Sequence, residues 1–327
     1  MFTVARWPIT KWAPDGRCGT PTVFRVTESL TPIGDITFGE VTDTLRPWLM
    51  ILGSSGGCPG PGRACPGYLV GAGDTSVLLD CGPGVVGRLR QTVDYHALDA
   101  IVLSHLHGDH ILDLVPYAYG LMMDLIVLGE GEPIPLYAPP GGSDYLRSLD
   151  ALLGHDRWEV STESREGPGY PELSRRMARA GGLLPAVFDL REYTPEAPLT
   201  IGQLTLEFFE VAHTVPTFGA RIIHGAYRLA YTGDTRECPA VATLAADVDL
   251  LLCDASVSQQ SHTTFSGHMS AAGAGAIAAV ADVKRLVLTH VFDLDQSREQ
   301  LLEEAALIFA GPIEIAEEMA VYTWDRP

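Results

Sequence analysis

A chain of 327 residues, 46% of them hydrophobic, is long enough to bury one large core or two smaller ones. Its 41 acidic residues against 22 basic ones give a formal net charge of −19, which excludes a general role in holding duplex DNA, because phosphate contacts need clustered cations. The opening MFTVARWPITKWAPDG has no continuous apolar core and predicts no secretory signal, and no uninterrupted apolar run reaches the roughly 18 residues of a membrane span; a cytoplasmic protein without a membrane partner is expected.

In chain order, residues 1–46 hold short alternating runs, TVFRV and DITFGEV, which predict an added hairpin or a partner-binding arm. From Trp48 the pattern becomes strand, loop, strand, helix. WLMIL reads as a buried strand, GSSGGCPGPGRACPG as a long Gly/Pro loop, YLV and SVLLD as strands, and PGVVGRLRQTV as a short helix. The GSSGG piece could cradle a phosphate, but it lacks the lysine and following helix of a P-loop and reads better as a tight turn. DAIVLS is a further buried strand. Residues 155–195 are polar, with Pro171 and Gly181 bracketing a short helix, and predict a lid-like insert. LTLEFFEVAH, ARIIHGAYRLAYTGD, DLLLCDAS and RLVLTH are strand-like runs, each ending in a polar residue able to bind metal or support a site. The six cysteines, Cys18, Cys58, Cys65, Cys81, Cys238 and Cys253, are scattered as reduced thiols would be, and the Cys58/Cys65 spacing is not that of a structural zinc pair.

The stretch SHLHGDH (residues 104–110) crowds three of the ten histidines and an aspartate behind a predicted strand. In extended chain His105 and His107 project to one side, and Asp109 and His110 follow at once, so a single turn could serve two adjacent cations. His213, Asp234 and His290 each close a later strand-like run. Any one alone reads as an ordinary strand-end residue; three in succession point to one site, because strands of a sheet deliver their end loops to a common edge.

HLHGDH resembles the HxHxDH signature of the metallo-β-lactamase-fold hydrolases, and LLLDCGPG, EVAHTVPTFG, YTGDTREC and VLTH are similar to that family's other motifs in their usual order, over about residues 48–325. The resemblance implies an α/β four-layer αββα sandwich spanning 47–327, with the metal site at the edge of its two sheets. It implies that His105, His107 and His213 hold one divalent ion and Asp109, His110 and His290 a second, with Asp234 bridging. The ions would be zinc, with manganese or iron as alternatives that His and Asp suit equally. Asp80 would brace the histidine loop by hydrogen bonds. SGHMSAAGAGAIAAVADVKRLVLTH resembles the ribonuclease Z-like branch, with His268 at the rim of the site and Ser270 capping the following helix. The loop LGSSGGCPGPGRACPGYLV, the phrase AYTGDTRECPAVATLAADVDLLLCDAS and the tail FAGPIEIAEEMAVY resemble actinobacterial members related to an atypical class of cyclic-nucleotide phosphodiesterases.

Two cations about 3.5 to 4 Å apart would share a water and bring its pKa toward roughly 7, giving a bridging hydroxide as nucleophile. Asp109 and His268 are the expected catalytic side chains, the first orienting the hydroxide and the second stabilising charge or protonating the leaving oxygen. A phosphodiesterase acting on a small anionic substrate, such as a cyclic nucleotide, is the favoured reading. A hydrolase of esters, lactones or thioesters and a non-catalytic metal-binding scaffold are the alternatives. A transfer-RNA processor would need a long basic arm, which the 155–195 insert does not provide. Arg175, Arg176 and Arg179 form a basic island that could touch an anionic substrate or could simply be a solvated helix face. A homodimer is expected.

Overall fold

The computed structural model describes residues 46–129, 131–157, 168–261, 267–292 and 297–323. The expected N-terminal arm falls outside them apart from Arg46, as does the 158–167 part of the expected lid. The first half of the chain supplies β1 (Trp48–Gly53), β2 (Gly67–Ala72), β3 (Thr75–Leu79), β4 (Ala100–Val102), β5 (Ile134–Ala138) and β6 (Phe188–Glu192). Between them lie α1 (Val85–Thr92), α2 (Gly108–Ile111), α3 (Leu114–Leu128), α4 (Gly142–Leu152), α5 (Tyr170–Ala180) and α6 (Leu184–Val187). The second half supplies β7 (Leu199–Ile201), β8 (Leu204–Val211), β9 (Thr217–His224), β10 (Tyr227–Tyr231), β11 (Leu250–Asp254), β12 (Leu286–Thr289) and β13 (Ile313–Ile315). It also carries α7 (Pro239–Leu244), α8 (Ala271–Val280) and α9 (Arg298–Ala306), and its last strand, β14 (Val321–Thr323), returns to pair with β1.

The strands form two seven-stranded sheets, ordered β14-β1-β2-β3-β4-β5-β6 and β13-β12-β11-β10-β9-β8-β7. Three apolar layers hold them. One lies between the first sheet and α1, α3, α5 and α6, through Leu69, Leu78, Ile101, Tyr117, Leu173 and Phe188. A second lies between the sheets, through Ile51, Tyr68, Leu204, Leu229, Leu252 and Val287. The third lies between the second sheet and α7, α8 and α9, through Leu251, Leu288, Val241, Ala274 and Leu301. This is the αββα sandwich expected from the sequence. Alternating residues of each central strand face opposite apolar layers, which is why SVLLD and DLLLCD read as nearly continuous hydrophobic runs.

One run divides where a single strand was expected. ARIIHGAYRLAYTGD folds as the hairpin β9–β10, with His224 paired to Tyr227 and Gly225 at a φ of 57°. Glycine takes that left-handed conformation without a Cβ clash, so a two-residue turn fits inside an otherwise strand-forming segment.

The helix pair Gly108–Leu128 is long and apolar enough, by length and composition, to cross a membrane. Here its inner side, including Leu114, Tyr117, Leu121 and Leu125, is buried against the first sheet, and Asp113 and Asp124 interrupt its apolar run. Asp113 turns its carboxylate to the start of α1, accepting from the N–H groups of Gly84 and Val86 at 2.9 Å each, where the helix dipole favours an anion.

Strand direction positions the site. β3–β4 are parallel neighbours in one sheet, and β10, β11 and β12 are parallel neighbours in the other; β8 runs the same way as β10, since each is antiparallel to β9. Their C-terminal ends therefore gather at one edge of the sandwich, the place where open parallel sheets present their loops.

Candidate metal centre

Each strand end contributes. Asp80 follows β3, Ser104 to His110 follow β4 and run into α2, His213 follows β8, Asp234 follows β10, Asp254 ends β11 and His290 follows β12. Asp80 and His290 both have φ near +58°, at 57° and 58°, a left-handed conformation unusual for non-glycine residues that swings the chain out of the strand at the site.

The seven side chains singled out from sequence meet as two adjoining groups. In the first, His107 Nδ1 lies 3.1 Å from both His105 Nε2 and His213 Nε2, and Asp234 Oδ2 is 3.7 and 3.8 Å from His105 and His213. In the second, His290 Nε2 is 3.3 Å from His110 Nε2, Asp109 Oδ2 and Asp234 Oδ2, while His110 Nε2 is 3.5 Å from Asp109 Oδ2 and 3.3 Å from Asp234 Oδ1. Asp234 belongs to both.

These spacings test whether the donor set suits a cation. Ligand atoms bound at about 2.1 Å around a tetrahedral divalent ion lie about 3.4 Å from one another. The observed separations cluster around that value. Imidazole nitrogens that face one another so closely make no good hydrogen bond unless one carries a proton, and Asp234 Oδ1 is buried without a well-formed bond. Both groups could hold a metal ion, and a third set, Asp234, Asp254, His268 and His290, overlaps the second.

The far sides of the rings support the same assignment. His105 Nδ1 is 3.0 Å from Ser104 Oγ, His110 Nδ1 is 2.8 Å from Asp80, His213 Nδ1 is 2.8 Å from the Gly267 carbonyl, and His290 Nδ1 is 2.9 Å from Ser256 Oγ. An imidazole whose outer N–H is engaged presents its other lone pair inward, as a metal ligand must. Burial lowers the pKa of His105, His107 and His213, which keeps them neutral. At Asp109 and Asp234 burial opposes charge, but the histidines outweigh it, His290 foremost at Asp109 and His110 at Asp234, and both carboxyls stay well below the usual range.

Asp80 is completely buried. One oxygen accepts from the Ser104 N–H at 2.7 Å; the other accepts from Ser104 Oγ at 2.7 Å, His110 Nδ1 at 2.8 Å and Tyr231 Oη at 2.7 Å. The last bond crosses from one sheet to the other, as does that between Tyr68 Oη and Thr289 Oγ1 at 2.8 Å. Asp80→Asn keeps a side chain that tolerates positive φ but replaces two acceptor oxygens by one. We expect it to weaken metal affinity about 10- to 100-fold, measured by competition with a chelator.

Gly82 brings the following turn against α2: a Cβ there would come 1.9 Å from the Asp109 carbonyl oxygen. Gly82→Ala must push backbone against backbone, and a loss of about 1–3 kcal/mol is expected in urea unfolding.

Three features were not singled out from sequence. Asp254 is buried; it accepts from the Thr235 N–H, the Ser256 N–H and Ser256 Oγ at 3.0, 3.0 and 2.5 Å, and lies 3.0 Å from His268 Nδ1. Ser256 in turn touches His290. The Gly57 N–H donates to Asp109 Oδ2 at 2.9 Å, so the GSSGG turn sits against the cluster. The signal for Asp254 was its place at the end of DLLLCD; the backbone N–H of Gly57 had none.

His268 stands beside the cluster, stacked on His290 at 5.1 Å between ring centres and 4.0 Å from Asp234 Oδ2. Burial opposes its charge, but Asp254 outweighs burial and the pKa is pushed up to about 9. Ser270 caps α8, its hydroxyl accepting from the Gly273 N–H at 3.0 Å. The arginines are elsewhere: α5 packs through Leu173 and Met177, and Arg175 and Arg176 each pair with Glu172 at 2.7 Å. No contact joins Arg175, Arg176 or Arg179 to the histidine cluster among the described residues. Cys58, Cys65, Cys81, Cys238 and Cys253 are free thiols.

Residues 75–291 match the Beta-lactamase superfamily domain. The chain belongs to the metallo-β-lactamase superfamily. It is 31% identical over 273 residues to the probable metallo-hydrolase YhfI of Bacillus subtilis, covering 83% of this chain and 98% of that protein. The crystal structure of YhfI superposes with a TM-score of 0.69 and 28% identity over 85% of this chain and all of YhfI. An uncharacterized protein of Mycobacterium tuberculosis, Rv1339, is 33% identical over 267 residues, 81% of this chain and 88% of that one. Ribonuclease Z of Myxococcus xanthus is 31% identical over 303 residues, 82% and 94% of the two chains. The protein is a metallo-hydrolase of this superfamily.

Proposed function

We propose that the protein is a phosphodiesterase acting on a small anionic phosphodiester such as a cyclic nucleotide, with two divalent ions, zinc by preference, as cofactors. His105, His107 and His213 would hold one ion, Asp109, His110 and His290 the other, with Asp234 serving both. Bound there, such ions supply Lewis acidity toward a phosphoryl oxygen and acidify water.

The observation that carries the phosphate reading is the His268–Asp254 pair at the edge of the cluster. Asp254 holds the imidazole by its Nδ1 and keeps it cationic at neutral pH, so Nε2–H on the opposite edge of the ring is the proton it would donate. A cationic donor beside the cluster suits a transition state that gathers charge on phosphoryl oxygens and then needs a proton at the departing oxygen. Asp109 accepts from Gly57 N–H and faces His290 and His110, which fixes its carboxylate for orienting the attacking water. The kinship with ribonuclease Z, named for cleavage of a phosphodiester polymer, supports the same chemical class.

Parallel assays with bis(p-nitrophenyl) phosphate, a panel of cyclic nucleotides and an acyl thioester test this reading. We expect turnover of the phosphodiesters, abolished by Asp109→Ala. Turnover of the thioester alone would overturn it in favour of acyl hydrolysis.

A further inference from the structure

We propose that Glu318 and Arg88 are positioning residues for the second group of the metal centre: as a largely buried pair they fix the turn of Ser54 to Cys58, which holds Asp109 on one side and the chain just after His290 on the other. The inference rests on the assignment of an ion to Asp109, His110 and His290, and its test tells the two apart.

The need for a brace follows from the sequence. The loop GSSGGCPGPGRACPG, residues 53–67, is built from glycine, proline and small residues, so it gains little order from regular structure, and each glycine gives up much backbone freedom when the loop is fixed. Gly57 takes a φ of 71° there, and its N–H donates to Asp109 Oδ2 at 2.9 Å. A carboxylate held by a backbone N–H is only as fixed as the turn that carries the N–H.

The turn is tied down on both sides. Towards the cluster it pairs with the residue after His290: the Ser54 carbonyl accepts from the Val291 N–H at 3.1 Å, and the Gly56 N–H donates to the Val291 carbonyl at 3.3 Å. Away from the cluster, the Ala64 carbonyl accepts from the Ser54 and Ser55 N–H groups at 3.1 and 2.9 Å. Ala64 is set in turn by Glu318, whose Oε1 accepts from the Ala64 N–H at 2.8 Å while Oε2 pairs with Arg88 Nη1. Arg88, on α1, closes the clamp by donating to the Leu52 carbonyl at 2.8 Å and to the Gly62 carbonyl at 2.5 Å. Glu318 itself is anchored to β1, because the Met319 N–H donates to the Ile51 carbonyl at 2.7 Å and the Ile51 N–H to the Ala320 carbonyl at 3.1 Å.

The side chains of Glu318 and Arg88 are only 10% and 19% exposed. Withdrawing two charges from water is costly, and a buried ion pair adds little stability over apolar residues of the same size. What it supplies is direction, since its charged hydrogen bonds meet the Ala64 N–H and the Leu52 and Gly62 carbonyls at fixed angles. Support of this kind behind a ligand sets how well a site is organised before the ion arrives.

The test uses the full chain loaded with Zn2+. The unaltered protein should keep two ions after gel filtration and release them to a chelator in two steps, one of which Asp109→Asn weakens. Glu318→Gln keeps an acceptor for the Ala64 N–H but loses the charge facing Arg88. It should weaken that same step about tenfold and leave the other unchanged. Hydrogen exchange followed by mass spectrometry should quicken in a peptide covering residues 54–58 and stay as before in peptides from β3 and β11. Should Glu318→Gln fail to fold, Arg88→Lys, which keeps the positive charge but not the two-pronged reach, should give the same pattern. Equal weakening of both steps, with exchange raised throughout, would make the pair a general stabiliser and overturn the proposal, as would two unaltered steps in a folded variant. Fewer than two ions in the unaltered protein would overturn the ion assignment and this proposal with it, a result seen before any substitution is made.

Discussion

Asp234→Ala is expected to remove both metal retention and catalysis together. Among the described residues Asp234 is the one side chain shared by both groups, 3.3 Å from His110 and His290 and 3.7–3.8 Å from His105 and His213. It is also the buried carboxylate that offsets the five imidazoles gathered around it. Its loss leaves Asp109 as the carboxylate of the second group and none in the first. Since metal ions in such sites supply several kcal/mol to the transition state, a fall in kcat of about 10³-fold or more is expected, with metal content by mass spectrometry dropping in parallel. Activity lost at full metal content would show that Asp234 acts on the substrate instead.

His268→Ala should separate chemistry from metal binding. His268 Nδ1 is 4.0 Å from Asp234 but is engaged by Asp254 at 3.0 Å, and the His105, His107, His213 and Asp109, His110, His290 sets around Asp234 are complete without it. Removing a general acid costs about 10²–10⁴-fold in kcat. We expect that loss with metal content unchanged. The same pair gives a pH dependence. The protonated form of His268 is held through neutral pH and is lost as pH rises through about 9, so the alkaline limb of kcat/KM should fall near there. Asp254→Asn removes the charge that raises this pKa and should move the limb to lower pH. A limb indifferent to Asp254→Asn would assign it to another group.

Much of the site could be read from the chain because its chemistry is local. Four of the seven clustered residues lie in His105–His110, and the others close strand-like runs whose apolar content marks them as buried, so their common edge follows from sheet geometry. Asp254 closes such a run too, yet its role depends on a contact with His268, 14 residues on, that strand order alone does not give. Tyr231 and Tyr68 read as core aromatics because their rings are core; only their hydroxyls, reaching Asp80 and Thr289 across the sheets, belong to the site. The β9–β10 hairpin was hidden because a single Gly225 among β-formers marks a turn only once its positive φ is seen. The arginines of α5 stood out by charge, but Glu172, one turn earlier, engages two of them on their own helix.

The central claim is that seven side chains from both sheets seat two neighbouring cations. Anomalous diffraction from crystals of the metal-loaded protein tests it most directly. The account predicts two peaks, one enclosed by His105, His107 and His213 and the other by Asp109, His110 and His290, with Asp234 between them. A single peak, or peaks away from these residues, would contradict it.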